Sequence, residues 1–147
     1  MTRKLFLIAI TIMALAGCDK ETRLLVDGNW YRPYNDGELI LTFNNDNTVY
    51  LTTVGVDPAH GFKNASGIYI KDNGRIIFNL SYSVTENTNK DDYTIKFSTG
   101  EFDHDGMWGD ILRVEYEEHY IDKATGTTRF RTDQLSFMKY NGTESKK

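Results

Sequence analysis

From Gly28 onward the chain alternates apolar and polar residues in short runs separated by turn residues. "ELILTF" at 38–43 places Leu39, Leu41 and Phe43 on one face, "NNDN" follows, and "TVYLTT" at 48–53 returns. Alternation of period two marks a half-buried strand, and Asn and Asp tolerate the left-handed backbone of a tight turn, so these segments predict a hairpin. "GIYIKD" and "RIIFNLSY" flank Asn73-Gly74, a strong hairpin-turn signal, and predict strands at 68–72 and 75–82. "DDYTIKFS" puts Tyr93, Ile95 and Phe97 on one face. "DILRVEYEEHYI" sets Leu112, Val114, Tyr116 and Tyr120 against Arg113, Glu115, Glu117 and His119. After "DKATG", Leu135 and Phe137 share a parity that Phe130 does not, which predicts a bulge between Arg131 and Gln134.

A first strand near Asn29 to Tyr34 completes a set of eight, and no stretch of ten or more residues has helical period. The expected fold is therefore all-β. Regular strands with one apolar face need a closed or sandwiched sheet, and eight strands joined by hairpins close most simply into an antiparallel up-and-down barrel, with a β-sandwich as the alternative. Two longer connections, 54–66 and 98–110, would present the variable surface on this rigid frame.

The start of the chain follows a different pattern. Arg3 and Lys4 precede an apolar run from Leu5 to Leu15, too short to span a bilayer, which reads as a targeting segment. The only cysteine, Cys18, comes next, so an internal disulfide is excluded. Leu15-Ala16-Gly17-Cys18 resembles the lipobox of bacterial lipoproteins at all four positions. The resemblance implies acylation of the Cys18 thiol and cleavage after Gly17, with residues 1–17 as signal peptide and 18–27 as an acylated tether. It places the protein in the bacterial cell envelope, held on a membrane by its lipid. Asp19 resembles an inner-membrane retention signal, whereas Lys20 with its acidic neighbours resembles a surface-export signal, so the leaflet stays open.

Gly28-Asn29-Trp30, then "LTFNNDNTV", "GIY" and a final "LSFMKY", are similar in order to small bacterial lipocalin-like domains. The resemblance covers most of residues 28–140 and leaves 141–147 as a flexible tail. It implies a lipocalin-like barrel in which an arginine of the last strand packs on the opening Trp. That place is commonly Arg; here Lys139 holds it, with Arg129 and Arg131 as other cations available.

Composition agrees with strands: aromatics are 13% of 147 residues, and nine are Tyr. The net charge of −4 becomes −6 once Arg3 and Lys4 are removed, and this acidic balance argues against nucleic acid as a partner. In "EFDHDGMWGD", Asp103 and Asp105 are weak candidates for a metal, because the spacing departs from an EF-hand loop. Trp108 in the same segment is a candidate lid or contact residue. The 54–66 connection holds Asp57, His60 and Phe62, with no nucleophile in a recognisable motif beside the histidine.

Tyr50, Tyr69, Tyr82, Tyr93, Tyr116 and Tyr120 exceed what an aliphatic core needs, so hydroxyls could line a partly polar cavity or the rings could girdle the outside. The candidate ligand or partner residues are accordingly Trp108, Phe62, Tyr50, Tyr82 and Tyr116. No catalytic constellation and no cofactor motif stands out. The expectation is a non-catalytic binder of a small apolar or amphipathic molecule, or alternatively an inhibitor or accessory module with a filled barrel that meets an envelope protein.

Overall fold

The expected strands are all present, and each is as long as its alternating pattern allows. The protein is described here as a computed structural model covering residues 27–105 and 109–139, with residues 104 and 105 by their backbone. The strands are β1 (Gly28–Tyr34), β2 (Gly37–Phe43), β3 (Thr48–Val54), β4 (Ala65–Asp72), β5 (Arg75–Ser83), β6 (Lys90–Asp105), β7 (Gly109–Asp122) and β8 (Thr128–Lys139). Each pairs antiparallel with the next, and β8 meets β1 to close an eight-stranded up-and-down barrel. The sandwich alternative is therefore not adopted. Cys18, Trp108, residues 1–17 and the 141–147 tail lie outside the described residues, as do most of the 18–27 tether and the Asp105 side chain.

The turns explain the register. Asn73 and Gly74 both take positive φ, 48° and 77°, as a two-residue hairpin of the strands' own twist requires. Across that hairpin Gly67 lies so close to β5 that an added Cβ would run into the Asn79 carbonyl, and a bulge shifts the β5–β6 register between Ile77 and Leu80. Only glycine fits there.

The inward faces form one core. Leu39, Leu41, Leu51, Ile95, Leu112 and Val114 are fully or almost fully buried, each such side chain contributing about 1.5–3 kcal/mol. Through this aliphatic shell runs a chain of touching rings. Tyr69 meets Phe43 at 5.1 Å, Phe43 meets Phe78 at 5.9 Å, Phe78 meets Phe97 at 6.1 Å, and Phe97 meets Tyr116 at 6.1 Å. Tyr116 then meets Phe62 at 5.4 Å and Phe62 meets Tyr34 at 5.1 Å. These contacts form one continuous run of rings through the core.

The end where Gly28 enters is the floor. Trp30 is fully buried there, 5.7 Å from the Phe102 ring, and the Lys139 ammonium stands 5.5 Å from its ring centre. Lys139 is also the register partner of Trp30, so a lysine stands where the resemblance implies an arginine; Arg129 and Arg131 lie towards the opposite end of β8 and do not substitute.

Two expectations are corrected. No bulge interrupts 131–134, because β7 and β8 pair without a shift from Ile111↔Met138 to Ile121↔Thr128. Phe130 simply points outward, 63% exposed, with its ring 6.4 Å from that of His119. Residues 98–105 continue β6 and residues 109–110 begin β7 instead of belonging to a loop, with Asp103 paired to Ile111 in register. The irregularity here is a bulge at Ser98, where Phe97 faces Tyr116 but Thr99 faces Glu115. The extra residue reverses parity, so Gly100 and Phe102 take up the inward face that Phe97 leaves.

Candidate functional site at the mouth of the barrel

The 55–64 connection folds over the end opposite the floor. Asp57 accepts the Ala59 N–H at 3.0 Å and caps a single 3-10 turn, Pro58–His60, after which Gly61 turns the chain inward at φ 101°. This delivers Phe62 into the mouth at 2% exposure, between Tyr34 and Tyr116. The connection is fastened on three sides. Asn64 accepts the Thr53 N–H at 2.8 Å, the Asn87 amide donates to the Ala59 carbonyl at 2.9 Å, and the Tyr82 hydroxyl donates to the Gly61 carbonyl at 2.9 Å.

Beneath this cover the tyrosines gather around one carboxylate. Glu118 has the inward parity of Leu112, Val114 and Tyr116 along β7, a signal present in the alternation but absent from the candidates drawn from it. The Tyr93 hydroxyl donates to Glu118 Oε1 at 2.6 Å. Burial, with that hydrogen bond and the Glu118 charge behind it, drives the Tyr93 phenol far above its ordinary range. Burial likewise raises Tyr34 and strongly raises Tyr82, and it pushes Tyr116 up to about 12 with help from Asp133 and Glu118. Phenols this reluctant to ionise are poor acids and stay neutral. Tyr82 and Tyr93 serve as donors that tie the mouth together.

Lys90 lies at the rim, its ammonium 4.3 Å from the Tyr93 ring centre and 4.2 Å from that of Tyr120. Beside it a half-open groove of about 450 Å³ runs between Val84, Asn87, Lys90, Asp91, Asp92 and Tyr93. Its lining does not include Phe62, Tyr82 or Tyr116.

β8 adds a second feature at this end. It pairs with β1 only through Trp30↔Lys139 and Tyr31↔Met138, after which the Arg32 guanidinium donates to the Ser136 carbonyl at 3.1 Å. β1 has seven residues and β8 has twelve, so residues 128–134 project beyond β1 and pair with β7 alone. Among the described residues no strand pairs with the other side of 128–134, which leaves a backbone edge there.

The sequence candidates separate accordingly. Phe62, Tyr82 and Tyr116 come together, but as packing against one another. Tyr50 does not join them: it is 46% exposed on the outer face of β3. Asp103 is paired to Arg113 at 2.7 Å, and no cluster of three metal-ligating side chains occurs among the described residues. No protein-family model, curated protein or solved structure matches this chain.

Proposed function

We propose that this chain is a lipid-anchored lipoprotein of the bacterial cell envelope, with Cys18 as the acylated residue and a lipocalin-like barrel that acts without catalysis as a protein-interaction module. The observation that carries the module reading is the run of ring contacts from Tyr69 to Tyr34, with Phe62 inserted in the mouth. A run of touching rings through the interior supports a packed core over a carrier's cavity. The surface left to a partner is the mouth end, where Phe130 stands on the open edge of β8. An extended segment of a partner protein can add to such an edge through main-chain hydrogen bonds, with the exposed aromatic as an anchor.

A second reading, binding of a small amphipathic molecule, is favoured by the groove beside Tyr93, whose volume of about 450 Å³ falls in the range of ligand sites. Native mass spectrometry of the full chain, extracted gently from its own envelope, separates the two. Retention of a protein mass, together with cross-linking from a photoreactive group at position 130, supports the interaction module. A small mass released by organic solvent supports the carrier and overturns it.

A further inference from the structure

The outer surface of the barrel is uneven. Tyr50 on β3, Ile68 and Ile70 on β4 and Ile77 on β5 are exposed by 46, 51, 56 and 37%. Ile70 stands opposite Ile77 in register, and Ile68 is the next outward residue on β4. Tyr50 is diagonal to Ile68, whose direct partner on β3 is Thr48. The four form one apolar patch. The outward residues paired to it are uncharged: Thr48, Ser66, Asn79 and Thr99. The outer faces of β6 and β7 are the opposite case, with Glu101, Asp103, Arg113, Glu115 and Glu117.

The patch also has a fixed place along the barrel. Strands alternate in direction, so Gly28 enters at the same end as the Asn73-Gly74 turn, and Ile70 and Ile77 lie only three pairs from that turn. The ten residues from Cys18 to Gly28 span at most about 35 Å even when fully extended. A lipid on Cys18 therefore holds this end, patch included, close to a bilayer.

We propose that the face formed by Tyr50, Ile68, Ile70 and Ile77 rests on the phospholipid surface in which Cys18 is anchored; this rests on the lipid-anchor reading above. Isoleucine and tyrosine suit the boundary between headgroups and acyl chains. Charge selects the same side: an anionic surface repels the carboxylates on β6 and β7 and admits the uncharged sector, at whose edge Arg75 stands between its register partners Asp72 and Glu101. The β8 edge, across the barrel from β4, then points away from the membrane.

Because the acylated thiol of Cys18 is the only one in the chain, an introduced cysteine is a unique labelling site. Asn79→Cys places a fluorophore in the patch, and Glu117→Cys places one on the outer face of β7. The full acylated chain is reconstituted in vesicles of phosphatidylethanolamine and phosphatidylglycerol that carry brominated acyl chains. Quenching several-fold stronger at 79 than at 117 is expected, and Ile70→Thr with Ile77→Thr should reduce the signal at 79 to that at 117. Equal quenching at both positions, in protein whose intact mass includes the acyl chains, overturns the docking face and leaves the anchor standing. An intact mass without acyl chains overturns the anchor reading and this proposal with it. A probe at 79 shielded from both lipid and aqueous quenchers means that a protein covers the patch, which also overturns it.

Discussion

The Tyr93 hydroxyl donates to Glu118 across the mouth at 2.6 Å, and the same ring supports the Lys90 ammonium at 4.3 Å. One phenol thus joins an inward carboxylate to a rim cation. Its proton belongs to the folded state, since losing it would set a phenolate against Glu118 in a partly buried site.

That arrangement predicts alkaline unfolding. Tyr34, Tyr82, Tyr93 and Tyr116 all have folded pKa values above the ordinary value of 10, chiefly through burial. Above pH 10 the unfolded chain releases these protons while the folded chain keeps them. Stability from the four is therefore fully present below pH 10 and falls as pH rises beyond it. Phenolate absorbance and circular dichroism followed together should show these tyrosines ionising in the same step that melts the sheet. Smooth ionisation with the sheet intact would contradict it.

Replacing the carboxylate tests the same contact from the other side. In Glu118→Gln the amide can still accept the Tyr93 hydroxyl, but the nearby negative charge is gone. The alkaline midpoint should move up: without the carboxylate the native phenolate is no longer repelled, the gap between the folded and unfolded pKa of Tyr93 narrows, and less stability is lost above pH 10. Stability at neutral pH should change by about 1 kcal/mol or less in urea titration, the size of a single hydrogen bond. A loss of several kcal/mol would mean that the carboxylate has a larger structural role than this contact.

At Gly61 two constraints coincide: φ is 101°, and an added Cβ would run into the Tyr93 hydroxyl. Gly126 in the β7–β8 turn has positive φ, 66°, but no neighbour within 4 Å of such a Cβ. Gly126→Ala should cost about 1–2 kcal/mol, the strain of the left-handed backbone alone. Gly61→Ala should cost clearly more and should also disturb the cover over the mouth, which increased binding of an apolar dye would report. Equal losses for the two variants would refute the packing argument.

Much of the barrel was legible because period two survives wherever a strand is regular. Leu39, Leu41 and Phe43 on β2, and Leu112, Val114 and Tyr116 on β7, are buried as their parity requires. Parity alone does not label inside and outside, which is why Tyr50 and Phe130 could not be assigned before the sheet closed. Ser98 hid the strand character of 98–105, since one inserted residue exchanges the two faces and makes a continuing strand look like an acidic loop. Phe62 lies in a connection that has no periodicity to report burial. Glu118 was the readable feature of the mouth, as its position among Leu112, Val114 and Tyr116 already turned it inward.

The cation question at Asp103 has a direct test. Its carboxylate faces Arg113 at 2.7 Å, on the outer face of a paired strand. A metal would have to compete with that guanidinium and find further ligands on a flat surface. Millimolar calcium or manganese should leave the melting temperature unchanged. A rise that Asp103→Asn abolishes would restore the metal site.

Trp30 and Lys139 make the floor the part of the barrel most sensitive to truncation. Trp30 is fully buried against Phe102, so Trp30→Ala should destabilise by about 3–5 kcal/mol through lost burial and the cavity left behind. Lys139 contributes through its ammonium, 5.5 Å from the indole ring centre. Lys139→Ala should therefore cost about 0.5–1 kcal/mol, as expected of a cation held against an aromatic face near the surface. Lys139→Arg, which keeps a cation over the ring, should recover most of that loss in urea titration. If arginine proved no better than alanine, neither a cation nor a long stem would by itself hold the floor, and the contact over Trp30 would be specific to lysine.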